Sequence, residues 1–175
     1  TGGSGLVGNR LTSLLSHQGY KVAHLSTRQD AKHPIATVFH WDIERQYVDI
    51  KAFQDTIAII HLAGASVAGK KWTSKRKQEI VDSRILSTRL LHDTLRNTKH
   101  NVTHFISTSA TGFYGVDTNG ILMEETKNGT DFLAALCHDW EKEANNIKAL
   151  DIKTSIVRIG IVLAKNGGAL KEMMQ

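Results

Sequence analysis

Short apolar runs alternate with longer amphipathic stretches along this chain. Runs rich in β-branched and aliphatic residues at 21–25, 36–40, 56–62, 102–107 and 154–159 read as strands. Between them, apolar residues return every three or four positions, the spacing of one helix face. Leu6, Leu11, Leu14 and Leu15 mark a first helix. The longest runs from Thr73 to Arg96, with Ile80, Ile85, Leu86, Leu90, Leu91 and Leu95 in one stripe. A third opens at Asp131, whose carboxylate can accept from the first free helix N–H groups. It carries Leu133, Leu136, Cys137, Trp140, Ala144 and Ile147. The stretch 112–129 has no such period and reads as a surface loop. Strands alternating with helices make right-handed crossovers and a parallel sheet covered on both faces. The fold class is therefore α/β, a doubly wound parallel sheet of the Rossmann type.

The three glycines at the start sharpen this reading. Gly2, Gly5 and Gly8 stand three apart, with Leu6, Val7 and Leu11 opening a helix behind them. Such a spacing permits a tight strand-to-helix turn, close approach of backbone N–H groups to a diphosphate, and packing of the helix on the sheet. A plain glycine-rich turn has the same spacing, so the next strand must help decide. That strand ends in Ser26, Thr27 and Arg28, about 20 residues on, where an acidic residue would accept from a ribose 2′-hydroxyl and an arginine suits a 2′-phosphate. Asp30 lies past the strand end. NADP(H) is thus expected ahead of NAD(H), against the plainer alternative of a solvated surface arginine. The loop should follow a strand that the chain does not contain. The chain also stops just past a strand, so that 1–175 is expected to be the dinucleotide-binding domain of a longer protein.

Composition narrows the partners. The 175 residues are 41% hydrophobic, with one proline and one cysteine, which fits an ordered globule and excludes an internal disulfide. A reducing, cytoplasmic setting is expected. No apolar run nears the roughly 20 residues needed to span a bilayer. The net charge of +5 would suit nucleic acid, an anionic membrane or a phosphorylated small molecule. Basic residues are scattered outside one cluster and no nucleic-acid-binding signature is present, which leaves the small molecule. That cluster, Lys70, Lys71, Lys75, Arg76 and Lys77 around Trp72, opposes the dipole of the helix it opens. It reads either as an anion-binding edge or as a solvated basic face. Among the nine histidines no H-x-H or H-x-x-x-H spacing lies near carboxylates, so most read as surface or strand-end residues.

Further segments carry a resemblance. His61-Leu62-Ala63-Gly64-Ala65 and Ser107-Thr108-Ser109-Ala110 each follow a strand, and with the glycine loop they resemble the extended short-chain dehydrogenase/reductase superfamily. More specific are Gly69-Lys70-Lys71-Trp72-Thr73 continuing to Asp82-Ser83-Arg84, then Ala110-Thr111-Gly112-Phe113-Tyr114-Gly115, and Phe132-Leu133 through Trp140-Glu141. These look like the atypical subgroup of predicted nucleoside-diphosphate-sugar epimerases. The resemblance implies about twice this length, with a C-terminal part that completes the substrate pocket. The resemblance implies that Gly2, Ser4, Gly5, Leu6 and Val7 wrap a pyrophosphate, with Thr27 and Arg28 at the 2′-phosphate. It implies that Asp42 and Ile43, after the strand, flank the adenine and that Leu62, Ala63 and Gly64 pass under a ribose. Arg84 would lie near the cofactor together with Glu79, and Ser107 to Ser109 near the nicotinamide.

One departure matters. The superfamily's proton-transfer pair is Tyr-x-x-x-Lys on the helix after the serine strand, and here that spacing holds Leu133 and Cys137. Ser109 matches the catalytic serine, and Tyr114 is the one tyrosine in a suitable place, read either as catalytic or as a half-buried loop aromatic. Two functions stay open: an NADP-dependent oxidoreductase or epimerase acting on a sugar-nucleotide-like or other small carbonyl or hydroxyl substrate, and a non-catalytic NADP(H)-binding sensor or interaction protein.

Overall fold

A computed structural model describes residues 1–68, 70–116, 120–164 and 167–169. Gly69 of the basic segment and residues 117–119 of the polar loop lie outside these. The first helix, α1 (Leu6–His17), runs into β1 (Ala23–Ser26) and then β2 (Thr37–Asp42). A two-residue strand β3 (Tyr47–Val48) and a 3-10 turn (Ile50–Phe53) lead to β4 (Ala58–His61). The long helix α2 (Ser74–Asn97) precedes β5 (His104–Ala110), a 3-10 turn (Thr111–Tyr114) and α3 (Phe132–Asn145). A last 3-10 turn (Asn146–Leu150) enters β6 (Lys153–Ile159), followed by β7 (Leu163–Ala164). The architecture is α/β and of Rossmann type.

Local chemistry sets these bounds. Thr73 caps α2 by accepting from the Arg76 N–H, and Asp131 caps α3 by accepting from the N–H groups of Leu133 and Ala134. Ile147, grouped with α3 by its spacing, instead belongs to the following 3-10 turn, where it is fully buried. β5 extends three residues beyond its expected end, so Ser107 to Ser109 lie within the strand rather than after it. Asp42 likewise ends β2 instead of following it.

The strands form two ladders, β1-β2-β3 and β4-β5-β6. Within these two ladders the pairs are parallel except β2 with β3, where Trp41 faces Val48 across an antiparallel hairpin. That hairpin departs from the expected all-parallel sheet. Thr1 lies beside β4, its nitrogen donating to the Ile60 carbonyl at 2.8 Å and its own carbonyl accepting from Leu62 N–H at 3.3 Å. It thus has the register of a parallel strand residue, and an apolar cleft of about 460 Å³ between β1 and β4 continues its line. The core joins Leu90, Leu91 and Leu95 of α2 to Ile59, Phe105 and Ile147. A fully buried side chain such as Leu91 or Phe105 contributes about 2–3 kcal/mol.

Candidate functional site

The glycine loop has room only for glycine at two points. Gly2 has φ +68°, and a Cβ there would lie 2.8 Å from the Leu62 carbonyl. A Cβ on Gly8 would collide with the Gly2 carbonyl and the Gly3 backbone. The loop closes on itself through Gly5 N–H to the Gly2 carbonyl at 3.0 Å. Behind it, α1 begins with no side-chain cap at Gly5 and no acidic residue in its first turn. Its leading N–H groups therefore face a space suited to an anion.

A groove of about 330 Å³ opens at that helix end. Gly2 and Ser4 form one wall, and Thr27, Arg28 and Lys32 beyond β1 form another. Ile43, Ala63 and Gly64 complete it. Most of the expected cofactor residues are thus brought together. Gly5, Leu6 and Val7 continue the loop into α1, whereas Leu62 lines the cleft between β1 and β4. Asp42 is not among the lining residues; its carboxylate accepts from Arg45 N–H at 3.0 Å and pairs with Arg45 Nε at 3.7 Å. Arg28 is exposed, forms no ion pair among the described residues, and has its backbone fixed by N–H donation to Ser26 Oγ at 3.1 Å.

A second polar centre lies at the end of β5. Ser109 is 3% exposed and its hydroxyl makes no well-formed hydrogen bond among the described residues. Cys137 stands beside it, but a thiol is a weak partner, and burial pushes that thiol above its ordinary range. The indole N–H of Trp140 is also buried without an acceptor. Arg84 reaches in from α2, its guanidinium 5.2 Å above the Trp140 ring and against Gly64. Its Nη1 donates to the carbonyls of Ala65 at 3.1 Å and Ile80 at 3.0 Å. Burial lowers its proton affinity, and no carboxylate pairs with it among the described residues. Glu79, expected nearby, is exposed and pairs with Arg76 at 2.7 Å. Ser107 is buried, its hydroxyl donating to the Thr108 carbonyl at 3.2 Å.

Tyr114 is half-buried in the turn after β5, and its phenolic oxygen accepts from Arg158 Nη1 at 2.9 Å. The same guanidinium lies 3.5 Å from the Phe113 ring centre. Gly115 follows with φ +80°, and Gly129 donates its N–H to the Phe113 carbonyl at 2.9 Å. A Cβ on Gly129 would sit 2.7 Å from Gly115 Cα, so the two glycines touch back to back at the base of the polar loop.

The basic segment is partly neutralised. Arg76 serves Glu79 and the Ser66 carbonyl, and Lys77 lies 5.0 Å over the Phe132 ring, which Trp72 meets edge-on at 5.5 Å. Lys70, Lys71 and Lys75 remain exposed. No group of three metal-ligating side chains occurs among the described residues. None of the described helices is long and apolar enough to cross a membrane.

Sequence reasoning passed over Asn9, Lys32, His33 and Arg158. Asn9 sits on the polar face of α1, Lys32 and His33 lie in a segment without period, and Arg158 sits at a strand position that reads as solvent-facing until β6 is paired beside Ser109.

Residues 1–136 match the profile of the NAD dependent epimerase/dehydratase family. The chain belongs to that family. It is 33% identical over 172 residues to the epimerase family protein Mb2239 of Mycobacterium bovis, covering 98% of this chain and 56% of the relative. It thus spans about half the length of the curated epimerase family proteins it matches. The nucleoside-diphosphate sugar epimerase from Corynebacterium glutamicum superposes with a TM-score of 0.80 at 30% identity, over 98% of this chain and 35% of that one. A human epimerase family protein solved with NADPH superposes at 0.81 with 22% identity, over 99% of this chain and 56% of that one.

Proposed function

We propose that this epimerase-family chain binds NADP(H) and serves an oxidoreductase or epimerase reaction on a sugar-nucleotide-like or other small carbonyl or hydroxyl substrate. The observation that carries the reading is the groove that joins an uncapped, acid-free helix start to the unpaired Arg28. Gly2 to Val7 would hold the diphosphate with backbone N–H groups, and Arg28 with Thr27 would take the 2′-phosphate. Ile43 would flank the adenine, while Ala63 and Gly64 leave the space in which a ribose can pass close to backbone. When bound, the nicotinamide supplies hydride acceptance and return. Arg84 would steady the neighbouring ribose or substrate oxygen with the donors its carbonyl partners leave free. The unpartnered Ser109 hydroxyl would donate to a substrate oxygen. The human relative's NADPH and the Corynebacterium protein's description as a nucleoside-diphosphate sugar epimerase support the same direction.

A second reading keeps the dinucleotide and drops the chemistry. Leu133 and Cys137 offer no ready proton on α3, and burial makes the Cys137 thiol harder still to ionise. Calorimetric titration with NADP⁺ and NAD⁺ tests the binding. Saturable heat with NADP⁺ is expected, weakened at least tenfold by Arg28→Ala while NAD⁺ changes little. No heat with either dinucleotide refutes the proposal. Absorbance at the reduced nicotinamide band, followed with nucleotide sugars and small carbonyl compounds, separates the two readings. Turnover lost in Ser109→Ala or Tyr114→Phe supports chemistry, and tight binding without turnover supports the second.

A further inference from the structure

We propose that His33 is a positioning residue that gives the groove its preference for a phosphorylated dinucleotide, an inference that rests on the cofactor reading above. Arg28 and Lys32 sit on the connection between β1 and β2, which is largely exposed and offers few apolar anchors. At its start, the Arg28 N–H donates to Ser26 Oγ and the Ala31 N–H to the Arg28 carbonyl at 3.3 Å. Its far end is held by His33.

The imidazole is fixed on three sides. Its ring meets the buried His24 ring edge-on at 4.7 Å. Nδ1 accepts from the Ile35 N–H at 3.3 Å, which makes Nε2 the protonated nitrogen of the neutral ring. Nε2 then donates to Asn9 Oδ1 at 3.2 Å. Asn9, on the first turns of α1, donates through Nδ2 to the Ser4 carbonyl at 2.8 Å. A continuous hydrogen-bonded chain therefore runs from the Ile35 backbone through His33 and Asn9 to the glycine loop. It makes the diphosphate loop and the segment bearing Arg28 and Lys32 one unit.

The consequence is selective. A dinucleotide with the additional phosphate uses both parts, so it benefits from cations already held in place. One without that phosphate uses the glycine loop with the adenine and ribose walls but not the two cations, and so gains little from the tether. Removing the imidazole leaves the segment bearing Arg28 and Lys32 without its tether to α1, held only where it leaves β1 and enters β2, and ordering the two cations falls on the binding step.

Titrations of wild-type, His33→Ala and His33→Gln protein with NADP⁺ and with NAD⁺ test this. His33→Ala should weaken NADP⁺ about fivefold and alter NAD⁺ less than about twofold. His33→Gln, whose amide can still donate to Asn9, should restore most of the loss, which a filler of space alone would not do. Thermal midpoints within a few degrees of wild type would show the variants folded, as the exposed position of this segment leads one to expect. Equal loss for both dinucleotides, or no loss of NADP⁺ in His33→Ala, overturns the inference and leaves the cofactor reading standing. Wild-type protein that binds neither dinucleotide overturns that reading and this inference with it.

Discussion

Arg158 on β6 donates to the Tyr114 phenolic oxygen at 2.9 Å while its Nε and Nη2 hold both oxygens of Glu141 at 2.8 Å. One guanidinium thus ties β6, α3 and the turn after β5 together, directly beside Ser109 in the ladder. Glu141 and Arg158 are both mostly shielded from water, so their pairing is not a loose surface contact.

Arg158→Met leaves the Glu141 carboxylate shielded and without its partner. The expected loss is about 2–4 kcal/mol, read as a lower urea midpoint with unchanged slope. Tyr114→Phe removes one neutral acceptor and should lower stability by no more than about 1 kcal/mol. A large loss in Tyr114→Phe would mean that the phenol anchors the turn by more than this bond.

Ser109 behaves differently. Its hydroxyl is buried without a well-formed partner, a state that costs stability in the free protein. Ser109→Ala should therefore match or exceed wild-type stability, by up to about 1 kcal/mol in denaturant unfolding, while any turnover falls. Destabilisation by Ser109→Ala would show that the hydroxyl has an internal partner and is structural.

His61 sets a pH dependence. It is fully buried between Thr1, Ser87 and Thr88, and burial pushes its pKa down to about 3. An unfolded histidine titrates near 6.5, so between these values the unfolded chain binds the extra proton. Stability is then level above about pH 6.5 and falls as pH drops below it. His61 alone should make the protein about 2 kcal/mol less stable at pH 5 than at pH 7. Urea midpoints at both pH values check this. A flat profile would mean that the imidazole takes up protons in the folded state.

The alternation of strands and helices was legible because each element buries one face and so must repeat its apolar residues at its own period. Asp131 was legible as a cap for a similar reason, since its side chain satisfies a local need written within three residues, whereas Thr73, read as the start of its helix, turns out to cap it. The tight glycine turn and the exposed arginine beyond β1 were also legible, because the backbone geometry at Gly2 and the charge past a strand end are local properties. What escaped depends on contacts distant in sequence. Arg158 meets Glu141 and Tyr114 only once α3 and β6 are packed, and His33 meets Asn9 only when the β1–β2 connection folds back over α1. Glu79 was placed with Arg84 by analogy, but its nearer neighbour Arg76 claims it one turn earlier on the helix.

Gly8→Ala probes the loop itself. A methyl there would enter the space of the Gly2 carbonyl and the Gly3 backbone, neither of which is a flexible side-chain end. The loop must shift, so NADP⁺ and NAD⁺ affinity should fall together, by at least tenfold in calorimetric titration. The contrast with Arg28→Ala, expected to discriminate between the two, separates damage to the proposed diphosphate cradle from damage to the proposed phosphate-selective edge. A Gly8→Ala protein that binds both normally would show that the first turn of α1 makes no close approach to the ligand.

The contact of Gly115 with Gly129 has a corollary. Where a connection is cinched at its root, the span between can lengthen, shorten or change composition without transmitting that change to the frame that holds Tyr114 and the cap of α3. A change of length or composition between the two glycines should therefore leave that scaffold intact, whereas a side chain at Gly129 would push the root of the connection apart.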